Sequence, residues 1–152
     1  MLVIDEKNIR IGLKAHSRDD CIRRICAVMA ENGYVGEDYA DAVIVRENEY
    51  PTGLPTEGVT VAIPHSNKGR VFRTGAGVAV LDTPVGFYNM ADHESLLMAE
   101  IVFVLANSDP DKQLDDLGTL MDCCSDAGAL KEIRAAKTGL EIVEILKNFE
   151  PD

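Results

Sequence analysis

The sequence predicts a layered α/β (α+β) domain, one β-sheet with helices packed on it. Three observations lead there. Segments with the two-residue period of strands alternate along the chain with segments of helical spacing. Helix-start signals stand directly before two of the helical segments, at Ser17 and Thr138. Ile101 to Leu105 is an unbroken apolar run, the pattern of a strand buried on both faces. At 152 residues the chain fits a single domain, 1–152, with one well-formed core. No repeat, low-complexity segment or linker divides it.

The elements follow in order. Asn8 to Leu13 reads as a short first strand. Ser17 caps a helix, with Asp20 as its capping-box partner and Asp19 in the first turn. The stripe Cys21, Ile22, Ile25, Cys26, Val28 and Met29 has helical spacing, and Asn32-Gly33 stops it. A second helix covers Asp38 to Glu47, with Tyr39, Ala42, Val43 and Val45 as its apolar residues. Tyr50 to Gly58 holds two prolines and two glycines in nine residues, an ordered, turn-rich loop. It leads into a strand over Gly58 to Ile63 that stops at Pro64-His65. Gly75 to Leu81 is another strand. Asp82 to His93 reads as loop, with Val85 to Tyr88 able to pair as a short edge strand. Asp109-Pro110 opens a helix bearing Leu114, Leu117, Leu120 and Met121, and Ser125 or Asp126 opens a shorter one. Thr138 and Glu141 form a capping box for a last helix, whose Leu140, Ile142, Val143, Ile145 and Leu146 are expected to face inward.

Composition narrows the function. The formal net charge is −11, so a nucleic-acid backbone would be repelled on average. An acidic surface suits solubility or basic partners. No apolar run approaches the roughly 18 residues that span a bilayer, and the charged N-terminal segment is no signal peptide. The four cysteines, Cys21, Cys26, Cys123 and Cys124, form no two-residue-gap pair, so zinc-knuckle and thioredoxin-type motifs are excluded. At least three of them read as buried small hydrophobes, and reduced thiols with no signal sequence together point to the cytoplasm.

The chemistry centres on His65. Pro64 fixes its own φ and restricts Ile63 to extended backbone, which holds an imidazole at a defined angle on a strand end. A neutral imidazole has one protonated nitrogen and one lone pair. It can act as base, ligand or nucleophile, and its lone pair can attack phosphorus. Spacing alone favours a plain strand-ending histidine bonded to nearby backbone. Arg46, before the Pro-rich loop, offers a donor fork matched to phosphate oxygens; its structural alternative is a surface pair with Glu47 or Glu49. Thr52, Thr56 and Ser66 offer hydroxyl donors. Lys68, Arg70 and Arg73 make a small basic cluster that either attracts a phosphorylated partner or is a solvated loop. His16 and His93 read as surface or capping residues, and the three histidines have no metal-ligand spacing. There is no P-loop, dinucleotide fingerprint or serine elbow.

Arg46-Glu47, Tyr50-Pro51-Thr52-Gly53-Leu54 and Val61-Ala62-Ile63-Pro64-His65 together resemble the signature of type-2 IIA domains. These belong to the mannitol/fructose superfamily of the bacterial phosphoenolpyruvate-dependent sugar phosphotransferase system. The resemblance spans nearly the whole chain and reverses the preference stated for His65. It implies a mixed sheet flanked by helices and a phosphotransferase role. His65 would accept a phosphoryl group from the phosphocarrier HPr and pass it to a cysteine of a IIB component, which serves a membrane IIC component. Arg46 would steady the phosphoryl group, and no cofactor or bound metal is implied. Leu54 and Phe72, apolar residues near the site, are candidate partner contacts, with loop packing as the alternative. Where the mannitol and fructose branches carry a second histidine, this chain has Gln113, which hydrogen-bonds but carries no charge near pH 7. The spacing from Arg46 to His65 is also longer than in the mannitol branch. Both features, with the Pro-Thr-Gly-Leu loop, resemble the galactitol-type branch. A regulatory IIA-like protein, whose phosphorylation state controls partner binding, remains the alternative. A metal- or ligand-binding module built on His65 and His93 is a third reading.

Overall fold

The computed structural model describes residues 3–150. Five strands form one mixed sheet: β1 (Ile9–Leu13), β2 (Gly53–Leu54), β3 (Val61–Ala62), β4 (Gly75–Tyr88) and β5 (Leu96–Ala106). Their order across the sheet is β1-β4-β5-β3-β2. β1 runs parallel to β4, and β3 runs parallel to β5. The β4–β5 and β2–β3 pairs are antiparallel. Helices α1 (Arg18–Glu31), α2 (Tyr39–Glu49), α3 (Gln113–Cys124), α4 (Ala127–Ala135) and α5 (Gly139–Lys147) complete the layers.

Strand periodicity divides the core in two. Val61, Ile63, Val78, Val80, Ile101, Phe103 and Leu105 pack with α3, α4 and α5. The alternate residues, Ala62, Ala79, Leu81, Val102 and Val104, pack with α1 and α2. Successive strand side chains point to opposite faces, so two helical layers each receive one set. β3 lies between β5 and β2 with every residue from Val61 to Ser66 buried. Its regular part is shorter than the expected strand, and a single bridge from His65 to Leu105 extends it.

The helix signals act as the sequence predicts, with one refinement. The Ser17 hydroxyl accepts from the Asp20 amide, and the Thr138 hydroxyl accepts from the Glu141 amide. The reaching carboxylates, however, close on the amides of His16 and Lys137, one residue further out than in the standard box. After α1, the amides of Gly33 and Tyr34 bond to the carbonyls of Ala30 and Met29. Gly33 has φ +82°, completing the left-handed stop that favours glycine. Asp126, not Ser125, caps α4.

Four expectations are corrected. The Asp82 to His93 loop is largely strand. β4 continues to Tyr88 across a bulge between Val80 and Val85, and residues 85–88 pair with residues 96–99. β1 pairs with β4 only as far as Leu81, so beyond that point β4 has β5 alone as neighbour, and Pro84 withholds no bond from a second strand. Val45, Leu114 and Leu140 are exposed, not inward. Each stands two positions from a buried residue of its own helix (Val43, Asp116 and Ile142), about 200° around the axis.

The turn-rich loop is locked where Gly53 meets the end of β4. A Cβ on Gly53 would lie 2.6 Å from the Tyr88 carbonyl oxygen, and the Met90 amide donates to the Gly53 carbonyl at 2.8 Å. The obstructing atoms are backbone, so they cannot turn aside. Gly53→Ala is expected to cost about 1–3 kcal/mol, measured as a lowered midpoint of thermal unfolding. A midpoint equal to the wild type would show that the β4–β5 hairpin is not packed against this loop.

Candidate functional site

His65 is held on three sides. Its Nδ1 lies 2.8 Å from the carbonyl oxygen of Ile63, two residues back. The preceding carbonyl, of Pro64, accepts from the Leu105 amide at 3.1 Å. The following amide, of Ser66, donates to the Tyr39 hydroxyl at 3.2 Å, and that hydroxyl donates to the Leu105 carbonyl at 2.6 Å. Tyr39, the first residue of α2, thus ties the segment after His65 to the end of β5.

These bonds fix the ring chemically. A carbonyl only accepts, so Nδ1 carries the proton and Nε2 keeps its lone pair in the neutral ring. His65 is 7% exposed, and burial holds its imidazole below the usual histidine value. The Ile63 bond opposes that shift, while the positive charge of Arg46 adds to it. Both a free lone pair and a neutral ring at pH 7 follow.

Arg46 lies in the last turn of α2, and its charge is felt at the His65 ring. Its guanidinium sits over the Tyr50 ring, 4.9 Å from the centroid. Among the described residues it forms no ion pair, and its buried Nε has no hydrogen-bond partner. The alternative pairing with Glu47 or Glu49 is therefore not made. A buried donor left open is costly unless something outside the protein's own atoms satisfies it.

Of the other expected residues, Ser66 is buried and its hydroxyl accepts from the Lys68 amide, leaving its own proton free. Gln113, the first residue of α3, lines a cleft of about 140 Å³ with Ser66, Lys68 and Asn107. Thr52 and Thr56 are already engaged: the Thr52 hydroxyl donates to Glu47 and the Thr56 hydroxyl to the Val59 carbonyl. In the basic cluster, Arg70 pairs with Asp38 and Arg73 covers Tyr34, while Lys68 has no such partner among the described residues. Phe72 is exposed and Leu54 half-buried. His93 lies exposed in the β4–β5 turn, and His16 is exposed before α1. No group of three or more His, Cys, Asp or Glu side chains among the described residues is arranged to hold a metal ion. All four cysteines are buried free thiols, which burial pushes up to about 12, so they are inert.

Sequence reasoning missed Glu47. It is 1% exposed, and both its oxygens are used: one accepts from the Thr52 amide and one from the Thr52 hydroxyl, each at 2.8 Å. Burial pushes its carboxyl up to about 7. A signal was present, because Glu47 continues the buried stripe Tyr39, Ala40, Val43, Ile44 at helical spacing.

Comparison with known proteins shows the family of the chain. The model of the family "Phosphoenolpyruvate-dependent sugar phosphotransferase system, EIIA 2" matches residues 2–149. The chain belongs to that family. It is thus a phosphotransferase-type EIIA domain, a phosphoryl carrier related to mannitol-specific proteins. It is 26% identical over 148 residues to the mannitol-specific phosphotransferase enzyme IIA component of Bacillus subtilis, covering 95% of this chain and 96% of that one. It is 27% identical to the mannitol-specific EIICBA component of Vibrio cholerae, covering 94% of this chain but only 21% of the length of that protein. The EIIA fold recurs in the Escherichia coli enzyme IIAMTL, solved by NMR in complex with phosphorylated enzyme IIBMTL. The TM-score is 0.79 at 23% identity, covering 97% of this chain and 99% of that one. Among the described residues, no helix of this EIIA domain is long and apolar enough to cross a membrane.

His65 and Glu47, both buried, make opposite demands on pH. The native His65 ring resists protonation, so its contribution to stability is present above the unfolded value of 6.5 and lost as pH falls below it. Glu47 holds its proton longer in the native state than the ordinary 4.5, so stability falls as pH rises from about 4.5 to about 7. Replacing Glu47 by Gln should raise stability at pH 8 relative to pH 5. Replacing His65 by Gln should do the reverse. Denaturant unfolding at the two pH values reads both, and slopes of equal sign would refute the assignment.

Proposed function

We propose that His65 is the phosphoryl-carrying residue of this EIIA domain, and that the group is carried on Nε2. One observation supports this most: the bond from Nδ1 to the Ile63 carbonyl, which leaves Nε2 as the nitrogen with a lone pair. The donor would be the phosphohistidine of HPr. The Nε2 lone pair attacks phosphorus in line, the bond from phosphorus to the donor imidazole breaks, and the donor ring keeps the electron pair. His65 then bears phosphoryl on Nε2 and a proton on Nδ1, and the Ile63 carbonyl stabilises the positive charge spread over the ring. In the second half a cysteine thiolate of a IIB component attacks the same phosphorus, and His65 leaves as neutral imidazole. Little covalent help is needed, so positioning and charge supply the catalysis.

Arg46 is assigned the developing charge on the phosphoryl oxygens. Its open Nε and lack of a carboxylate partner support that role. Ser66 and Gln113, with donors beside the same strand end, are assigned as supporting contacts. Thr52 and Thr56 spend their hydroxyl protons within the loop, which favours a structural part for them. Similarity to mannitol-specific proteins favours a mannitol/fructose-type system over the galactitol type expected from Gln113. The Escherichia coli relative was solved with phosphorylated IIB, which supports a IIB partner here. We place this activity in the cytoplasm, with a membrane IIC component served only indirectly.

Incubation with phosphoenolpyruvate, enzyme I and HPr should place one acid-labile phosphoryl group on the wild type and none on His65→Ala. Labelling of that variant would reject the site. Arg46→Ala should fold and accept phosphoryl about 100-fold more slowly, the usual scale for one lost charge-stabilising donor. An unchanged rate would remove Arg46 from the site. Transfer onward to an added IIB cysteine separates a transport component from a regulatory one.

A further inference from the structure

The β2–β3 ladder is incomplete at one point, and that point bears on His65. The strands pair antiparallel with Gly53 opposite Ala62 and Leu54 opposite Val61. The next pair is therefore Thr52 with Ile63. In an antiparallel ladder such a pair exchanges two bonds, each amide donating to the other's carbonyl. Only one is made. The Ile63 amide reaches the Thr52 carbonyl at a stretched 3.4 Å and is also within 3.2 Å of the Thr52 hydroxyl oxygen. The returning bond, from the Thr52 amide to the Ile63 carbonyl, is absent. The Thr52 amide donates instead to Glu47 at 2.8 Å, and the Ile63 carbonyl accepts from His65 Nδ1 at 2.8 Å.

We infer that Glu47 is the positioning residue of the phosphoryl-accepting histidine: it takes the Thr52 amide out of the strand ladder and so reserves the Ile63 carbonyl for His65. Geometry carries this at each step. Glu47 is buried at the end of α2 and directs both oxygens at one residue. The second oxygen takes the Thr52 hydroxyl proton, which turns that hydroxyl's lone pair toward the Ile63 amide. Both polar groups of Ile63 are thereby assigned, its amide to Thr52 and its carbonyl to His65. Pro64 has no amide proton to compete for a carbonyl, and it keeps Ile63 extended. Without the carboxylate, the unpaired Thr52 amide would seek the acceptor its ladder position offers. Nδ1 would then share or lose its carbonyl, and the ring could take the other tautomer, with the proton on the nitrogen that must attack.

This inference rests on the proposed role of His65 for its functional meaning, yet its test needs no phosphoryl donor. The tautomer of His65 is read from the imidazole nitrogen shifts of unphosphorylated protein labelled with nitrogen-15. Glu47→Leu keeps the volume and lets the ladder close. It should populate the tautomer protonated on Nε2 and slow phosphoryl acceptance about tenfold at saturating donor, the scale of one lost hydrogen bond. The donor concentration for half-maximal rate should not change. Glu47→Gln, which keeps an acceptor for the Thr52 amide, should retain the wild-type tautomer. A folded Glu47→Leu protein with the wild-type tautomer overturns the inference. Should that variant not fold, the wild type decides alone: coupling across the hydrogen bond must link the Ile63 carbonyl carbon to His65 Nδ1, and a coupling to the Thr52 amide nitrogen overturns the inference equally. Failure of wild-type His65 to accept a phosphoryl group would reject the proposed function and leave the tautomer result standing.

Discussion

The bond from His65 Nδ1 to the Ile63 carbonyl is the contact on which the site depends. An imidazole joined to its own strand two residues back cannot turn, and it cannot exchange the roles of its nitrogens. Such a bond requires a carbonyl that the sheet does not use. β3 is an inner strand with neighbours on both sides, where ladder bonds normally consume every carbonyl. The strand supplies this exception at its end, where Pro64 interrupts the pattern and the next residues are tied down by Leu105 and Tyr39. Rigidity at His65 is thus a property of the strand's end and not of the loop that follows.

Much of this was legible in the sequence. The strand ending at Pro64-His65, the caps at Ser17 and Thr138, the Asn32-Gly33 stop and the apolar run of β5 depend on local chemistry, and local chemistry can be read residue by residue. What escaped depends on partners distant in sequence. Asp82-Thr83-Pro84 looks like a turn, and only the pairing of residues 85–88 with 96–99 makes it a bulge within one long strand. From sequence Tyr39 reads as an apolar helix residue, because nothing local shows that its hydroxyl meets Ser66 and Leu105. Leu114 and Leu140 satisfied a hydrophobic count, yet the angle around each helix, not the count, decides which side chains are covered.

Neighbouring residues of α2 divide two tasks that would otherwise conflict. In its proposed role Arg46 meets a dianionic group, and it is not spent on a carboxylate among the described residues. Glu47 is adjacent in sequence and would be the nearest partner, but successive helical residues point about 100° apart. Glu47 turns inward to Thr52, and Arg46 lies over Tyr50. The stacked ring holds the guanidinium without neutralising it.

That arrangement also answers the charge problem of the chain. A protein of net charge −11 is a poor general receptor for a phosphoryl group. Beyond a Debye length of about 8 Å at physiological salt, however, exposed charges are largely screened. The local field therefore weighs most, and three acidic residues of the elements around His65 are engaged by partners of their own. Asp38 is occupied by Arg70, and Asp116 is buried against Asn107. Glu47 is hydrogen-bonded below the loop with its carboxyl raised to about 7, so near neutral pH it contributes less than a full negative charge. Among the described residues Arg46 and Lys68 form no ion pair. The acidic surface can serve solubility while Arg46 acts on a bound group at short range, because the two act over different distances.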